Sequence, residues 1–192
     1  MRTTDAELIQ RLINSDGSAF RELVELYQSL VFRTCYNLIR HSEDAEDIAQ
    51  DVFIEVFESV HQFRNESKLS TWLYRIAINK SLNHIRKNKW KTMVRSLEQF
   101  FGGDKTNNLD VEDKNSHNSP ETIDYRERSQ VLQNAVNSLP ENQRIAFTLN
   151  KFDELSYQEI AEVMELSLSS VESLIHRAKL NLQKKLINYY KN

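Results

Sequence analysis

With 192 residues, the chain can hold one medium domain or two small ones, and three glycines with two prolines are too few for a turn-rich β protein. A single cysteine excludes an internal disulfide, and no apolar run reaches the ~18–20 residues needed to cross a bilayer. Leu, Ile, Glu, Gln, Lys and Arg recur at helical spacing throughout, so the expected protein is all-α, soluble and cytoplasmic.

The N-terminal segment MRTTDAELIQ has no apolar leader core. Thr4 and Glu7 form a capping box that opens a short helix, which should end near Asp16-Gly17. A long helix is expected from about Ser18 to Arg40, with Phe20, Leu23, Tyr27, Val31, Cys35 and Leu38 along one side. Cys35 on that apolar side reads as a buried structural thiol. Ser42 is the expected cap of a third helix, whose first turn carries Glu43, Asp44 and Glu46, where the helix dipole favours anions. Its inner face is Ile48, Val52, Val56 and Val60, and acids surround Gln50 and an exposed Phe53 or Phe57. A polar loop, FRNESKLS, occupies 63–70, and a fourth helix follows from about Ser70 to near Trp90. Four helices thus make a first domain, 1–95.

Residues 96–120 lose periodicity after Gly102-Gly103 and read as a flexible linker. A second domain, 121–192, should begin near Pro120, with helices at about 120–138, 140–151, 155–165 and 169–188. The two domains are expected to be independent units on that tether.

The net charge of −3 conceals a strong division. Residues 1–63 hold five cations against twelve acids, whereas residues 64–95 hold nine against one. One acidic and one basic surface suit a protein that bridges a basic partner and a nucleic acid. On the fourth helix, Arg75, Lys80, Arg86 and Lys87 mix with Asn79 and Asn83, next to a loop holding Phe63 and Arg64. Cations follow phosphates, aromatic faces stack unpaired bases and amides read base edges, so this stretch suits a melted strand. Trp72 fits either that role or the core. Acids on the third helix would repel phosphate and favour a basic protein partner, or else form a solvated face.

Residues 155–186 read as a helix-turn-helix. Ser156 and Glu159 make a capping box, and Ser169 with Glu172 suggests a second. Val171, Leu174, Ile175, Ala178 and Leu182 form the inner face of the second helix, while Ser170, Ser173, His176, Arg177 and Lys179 lie opposite. By itself this pattern also fits a packed helix pair with no DNA role.

The blocks DAEDIAQDVFIEVF, STWLYRIAINKSLNHIRK and SLPENQRIAFTLNKFDELSYQEIAEVMELSLSSVESLIHRAK, in this order, resemble the extracytoplasmic-function group of bacterial sigma factors, across nearly everything outside 96–120. The resemblance implies no enzyme activity and no cofactor or metal. It implies a chain, monomeric when free, whose partners are core RNA polymerase (the β′ clamp helices and β flap), promoter DNA and an anti-sigma factor where one exists. It places polymerase contacts at Asp47, Gln50, Asp51 and Glu55. The melted minus-ten strand would meet Phe63, Arg64, Asn65, Glu66, Ser67, Lys68, Asn79, Asn83, Arg86 and Lys87. The minus-thirty-five duplex would meet Ser169, Ser170, Glu172, Ser173, His176 and Arg177. Linker acids Asp104, Asp110, Glu112 and Asp113 would thread toward the RNA path.

The chain departs from the family pattern where the recognition helix starts, since Glu172 and Leu174 replace two cations. Glu172 either accepts from cytosine N4 or completes the cap with Ser169. Two other readings of the residues remain open at this level: a repressor or activator with a sensing first domain, and a helical adaptor. The five histidines lack metal-ligand spacing, and no phosphate loop or nucleophile–base arrangement appears.

Overall fold

A computed structural model describes residues 4–63, 67–101 and 120–191. Among them are eight α-helices: α1 Asp5–Ile13, α2 Gly17–Ile39, α3 Ser42–Ser59, α4 Leu69–Phe101, α5 Pro120–Asn137, α6 Glu141–Lys151, α7 Tyr157–Met164 and α8 Leu168–Lys191. A single 3-10 turn, Val60–Gln62, follows α3. No described helix is long and apolar enough to cross a membrane.

Local chemistry sets the helix ends. Thr4 caps α1 in a reciprocal box with Glu7, and Asp16 caps α2 by accepting from the Ser18 amide at 2.8 Å. At α3 the cap is His41 rather than the expected Ser42: its Nδ1 accepts from the Asp44 amide at 3.3 Å. Ser156 and Glu159 form the expected box on α7, and that bonding holds the Glu159 carboxyl below its ordinary pKa. The chain reverses after α7 through Glu165, which takes the left-handed conformation at φ 55°. The second expected box is absent. Helix α8 starts one residue earlier, and Ser167 Oγ accepts from the Ser170 amide at 3.2 Å. Glu172 therefore lies beyond the cap.

Helices α1 to α4 enclose one core, in which Leu8, Leu23, Val31, Val52, Val56 and Leu73 are almost fully buried. Cys35 lies inside it as expected, and burial pushes its thiol up to about 11. Phe53 is also buried, so Phe57 is the exposed aromatic of α3. Helices α5, α6 and α8 close over Ala135, Val136, Leu139, Ala178 and Leu182.

Two further sequence expectations fail. Helix α4 does not stop near Trp90 but runs to Phe101, so a boundary at residue 95 falls inside it. The reason is local: no glycine or proline interrupts the chain before Gly102. The halves are also not independent. Leu38, Tyr74, Ile78 and Leu82 of the first half share a core with Ile145, Leu149, Ile160 and Val171 of the second. Tyr74, Ile78 and Leu82 are a second apolar stripe of α4, at i, i+4 and i+8, beside the one that faces α3. A helix apolar on two sides needs two neighbours. Of the expected linker, 96–120, residues 102–119 with their four acids lie outside the described residues.

Replacing Ser167 with Ala should cost about 1 kcal/mol of unfolding free energy, the usual worth of an N-cap. Ser169→Ala should stay within about 0.5 kcal/mol. Urea titrations of both variants check the assignment, and the reverse order would restore the cap to Ser169.

Candidate polymerase and nucleic-acid interfaces

The acidic face stands on α3. Asp47, Gln50 and Asp51 are exposed there and make no ion pair with any described residue. Glu55 differs: it is half-buried and accepts from Lys80 Nζ of α4 at 2.8 Å, which ties the acidic and basic helices together. Phe57 is 46% exposed and meets Phe20 edge-on at 5.4 Å between centroids. Beside the acids, a shallow groove of about 380 Å³ between α2 and α3 is lined by Phe32, Ala49, Gln50 and Phe53. Exposed carboxylates beside such a groove can receive a helix with basic and apolar faces.

The basic face stands on α4. Phe63, before the loop, lies 5.0 Å from Trp72, and both are half-buried against the first core. Trp72 thus serves the core while keeping one edge in solvent. Ser67 is half-buried and Lys68 exposed, whereas Arg64, Asn65 and Glu66 lie outside the described residues. Asn79 and Asn83 are exposed, and their amides bond no described residue. Lys87 is exposed too. Arg86, although exposed, donates from Nη2 to Glu141 Oε1 of α6 at 2.6 Å. Asn79 and Arg86 border a cleft of about 400 Å³ closed by Glu141, Val163 and Met164.

The third face is the outer side of α8. Ser169, Glu172, Ser173, His176 and Arg177 are exposed, and Ser170 is half-buried. Val171, Ile175, Ala178 and Leu182 are buried as their spacing requires. Ser169 and Ser170 are engaged at the cap, with hydroxyls 3.1 and 2.8 Å from Ser167 Oγ. Glu172, Ser173, His176 and Arg177 are left as a free surface of two serial pairs one turn apart.

Sequence reasoning passed over the residues that join the halves. Arg33 of α2 donates from Nε to Asp153 Oδ1 at 3.0 Å, while the Asp153 side chain is 0% exposed. Asn37 reaches the same oxygen at 3.5 Å, and Arg40 lies 4.5 Å from the centre of the Phe152 ring. Burial pushes the Asp153 carboxyl above its ordinary pKa, and the Arg33 bond opposes that shift. Arg75, expected among the free cations, instead holds the Glu162 carbonyl at 2.7 Å and Glu165 at 2.9 Å. Nothing in sequence marks Asp153 as buried, because acids are almost never found fully buried unless paired, and its pair is remote in the chain.

An acidic face on α3, a basic face on α4 and the outer side of a helix-turn-helix on a two-module helical protein are the features of a nucleic-acid-binding protein. Comparison with known proteins agrees with that class. Residues 23–91 match the family model for sigma-70 region 2, and residues 129–182 match that for sigma-70 region 4. The RNA polymerase sigma-H factor of Pseudomonas aeruginosa is 34% identical, with 95% of this chain and 93% of that protein aligned. The ECF RNA polymerase sigma factor SigW of Bacillus subtilis is 31% identical, with 93% of this chain and 94% of that protein aligned. The ECF RNA polymerase sigma-E factor of Escherichia coli is 32% identical, with 95% of this chain and 94% of that protein aligned. In fold, the chain is similar to CnrH, solved with the cytosolic domain of CnrY, at a TM-score of 0.63 and 21% identity over 96% of this chain and 97% of that one. It is also similar to RpoE of Bartonella quintana, solved with the anti-sigma factor NepR, at 0.58 and 22% over 87% and 96%.

The chain belongs to the sigma-70 family, in its extracytoplasmic-function group. It is a sigma factor, a transcription initiation protein and not an enzyme.

Removing Arg33 would orphan a buried carboxylate. Arg33→Ala should lower unfolding free energy by about 2–3 kcal/mol, at the low end for a buried charge because Asn37 and Arg40 remain. A urea midpoint unchanged from wild type would show that the pair does not hold the halves together.

Proposed function

We propose that this sigma factor reads its promoter in two ways, the upstream element as duplex and the minus-ten element as a separated strand, while α3 holds core RNA polymerase in the cytoplasm. In this reading, residues 1–95 act as the polymerase-binding and melting unit, 96–120 as the connector and 121–192 as the duplex reader. Asp47, Gln50, Asp51 and Glu55 meet the β′ clamp helices, and the second unit meets the β flap. Phe63 to Lys68, with Asn79, Asn83, Arg86 and Lys87, hold the unpaired strand. The α8 positions from Ser169 to Arg177 read the minus-thirty-five duplex.

The observation that carries this reading is the separation of uncommitted groups. Asp47 and Asp51, in no ion pair with a described residue, stand on α3, and amides bonded to no described residue stand on α4. A carboxylate surface placed against phosphate would repel it, so the two faces serve different partners. With Ser167 as the cap, the Glu172 carboxylate is free to accept from a cytosine N4 donor, which favours that alternative over a capping role.

Opening follows from preferential binding. The strand gains stacking and phosphate contacts on α4 that the duplex cannot make, and no bond is made or broken. Arg86 is engaged by Glu141, and Asn79 borders the cleft beneath α6 and α7. Strand capture therefore requires the duplex reader to leave α4. Polymerase binding on α3, whose acids stay accessible, is positioned to supply that energy. An anti-sigma factor, as NepR is for the Bartonella quintana RpoE, would act by holding the modules in a closed arrangement.

In-vitro transcription with core polymerase on a promoter library tests the reading as a whole. Asn79→Ala should lower open-complex formation about tenfold, the worth of one good base contact, with core affinity unchanged. Asp51→Lys should weaken core association and leave the isolated promoter duplex bound as before. If Asn79→Ala lost core affinity instead, α4 would be a protein-docking helix and the strand reading would fall.

A further inference from the structure

Helix α4 continues well past the strand-binding residues assigned above, and its extension is chemically distinctive. Trp90 is 64% exposed, the most exposed of the large apolar side chains described. Around it stand Lys87, Lys89, Lys91 and Arg95, all exposed and none in an ion pair with a described residue. Met93, one turn on, is exposed as well. An exposed indole flanked along its helix by cations in no ion pair with a described residue presents a flat apolar face beside positive charge.

Helical phase says where that surface points. At 3.6 residues per turn, Trp72, Asn79, Asn83, Arg86 and Trp90 fall within about 60° of arc. Trp72 and Trp90 are 18 residues apart, about five whole turns, so one tryptophan stands at each end of the stripe, roughly 27 Å apart. Between them lie the two amides and Arg86. The second module packs on α4 at Tyr74, Ile78 and Leu82 and meets the stripe at Asn79 and Arg86, the nearer of which lies a turn before Trp90. Trp90 therefore remains accessible in the packed arrangement, even where Arg86 is engaged.

We infer that Trp90 is a further nucleic-acid-binding residue, which stacks on an unpaired base of the separated promoter strand while Lys87, Lys89 and Lys91 hold the adjoining phosphates. This inference rests on the strand-trapping reading of α4 and extends the site by one turn beyond Lys87. Charge decides the occupant. A protein helix docking on Trp90 and Met93 would have to accept a cluster of free cations at its rim, whereas a DNA strand supplies both the flat apolar surface and the anions that the cluster needs. Stacking on an indole is tolerant of base identity, so Trp90 contributes affinity for the open form rather than sequence choice.

The test uses holoenzyme assembled from core polymerase and full-length chain. The probe is a synthetic promoter fork whose non-template strand is unpaired through the minus-ten element. Trp90→Ala should weaken fork binding about 5- to 150-fold, one stacked base at 1–3 kcal/mol with 1.4 kcal/mol per decade. Trp90→Phe should recover most of the loss, and the affinity of either variant for core polymerase and for fully paired DNA should match wild type. Fork binding that is unchanged in Trp90→Ala, while Asn79→Ala weakens it, would overturn the role of Trp90 alone. Fork binding unchanged in both variants would overturn the strand reading itself. Loss of core affinity in Trp90→Ala would make the face a protein contact and refute the inference.

Discussion

One helix must satisfy three surroundings at once, and the architecture follows from that constraint. Helix α4 packs one apolar side against α2 and α3 and a second against α6 and α7. Only the remaining arc is left for solvent, and it holds the amides, cations and Trp90. While the modules are packed, two cores fix the orientation of α4 from Leu69 to Leu82; with the second module displaced, the first core alone holds it. Side chains presented on a helix held in this way lose less entropy on binding than those of a free segment.

The contact between the modules combines apolar burial with an ion pair between a half-exposed arginine and a buried carboxylate, and those two contributions differ in kind. Leu38, Tyr74, Ile78 and Leu82 provide attraction that any close-fitting partner would gain. Arg33 and Asp153 add little net attraction, since desolvating the carboxylate offsets most of its Coulomb gain. They make wrong registers costly, because a shifted module would leave Asp153 buried without its partner. Arg75 and Arg86 act similarly at the rim, where Glu165 and Glu141 meet them. Cations that could meet phosphate thus pair with carboxylates of the same chain, and a DNA strand would have to compete with Glu141 for Arg86.

Much of this was legible from residue order. Capping boxes at Thr4 and Ser156 and the periodicity of α8 fixed those helix ends to within a few residues, whereas the end of α4 was placed eleven residues early. The charge division located the acidic and basic helices before any coordinates. Three things were not legible, each for a physical reason. Ser42 and Ser169 looked like caps because several polar residues compete at a helix start, and only geometry selects His41 and Ser167. The second stripe on α4 was hidden because Tyr74, Ile78 and Leu82 interleave with the first, so the helix looks merely hydrophobic. Asp153 was hidden because its partner is 120 residues away in the chain, and no local pattern encodes that separation.

The central claim is that this chain opens promoter DNA only together with polymerase, by holding the separated strand on α4. Permanganate reactivity of thymines across a promoter's minus-ten element measures that opening directly, with core polymerase alone, the chain alone and both together. The account predicts reactive thymines only when both are present. Reactivity produced by the chain alone, or its absence from the assembled holoenzyme on every promoter in a library, would contradict it.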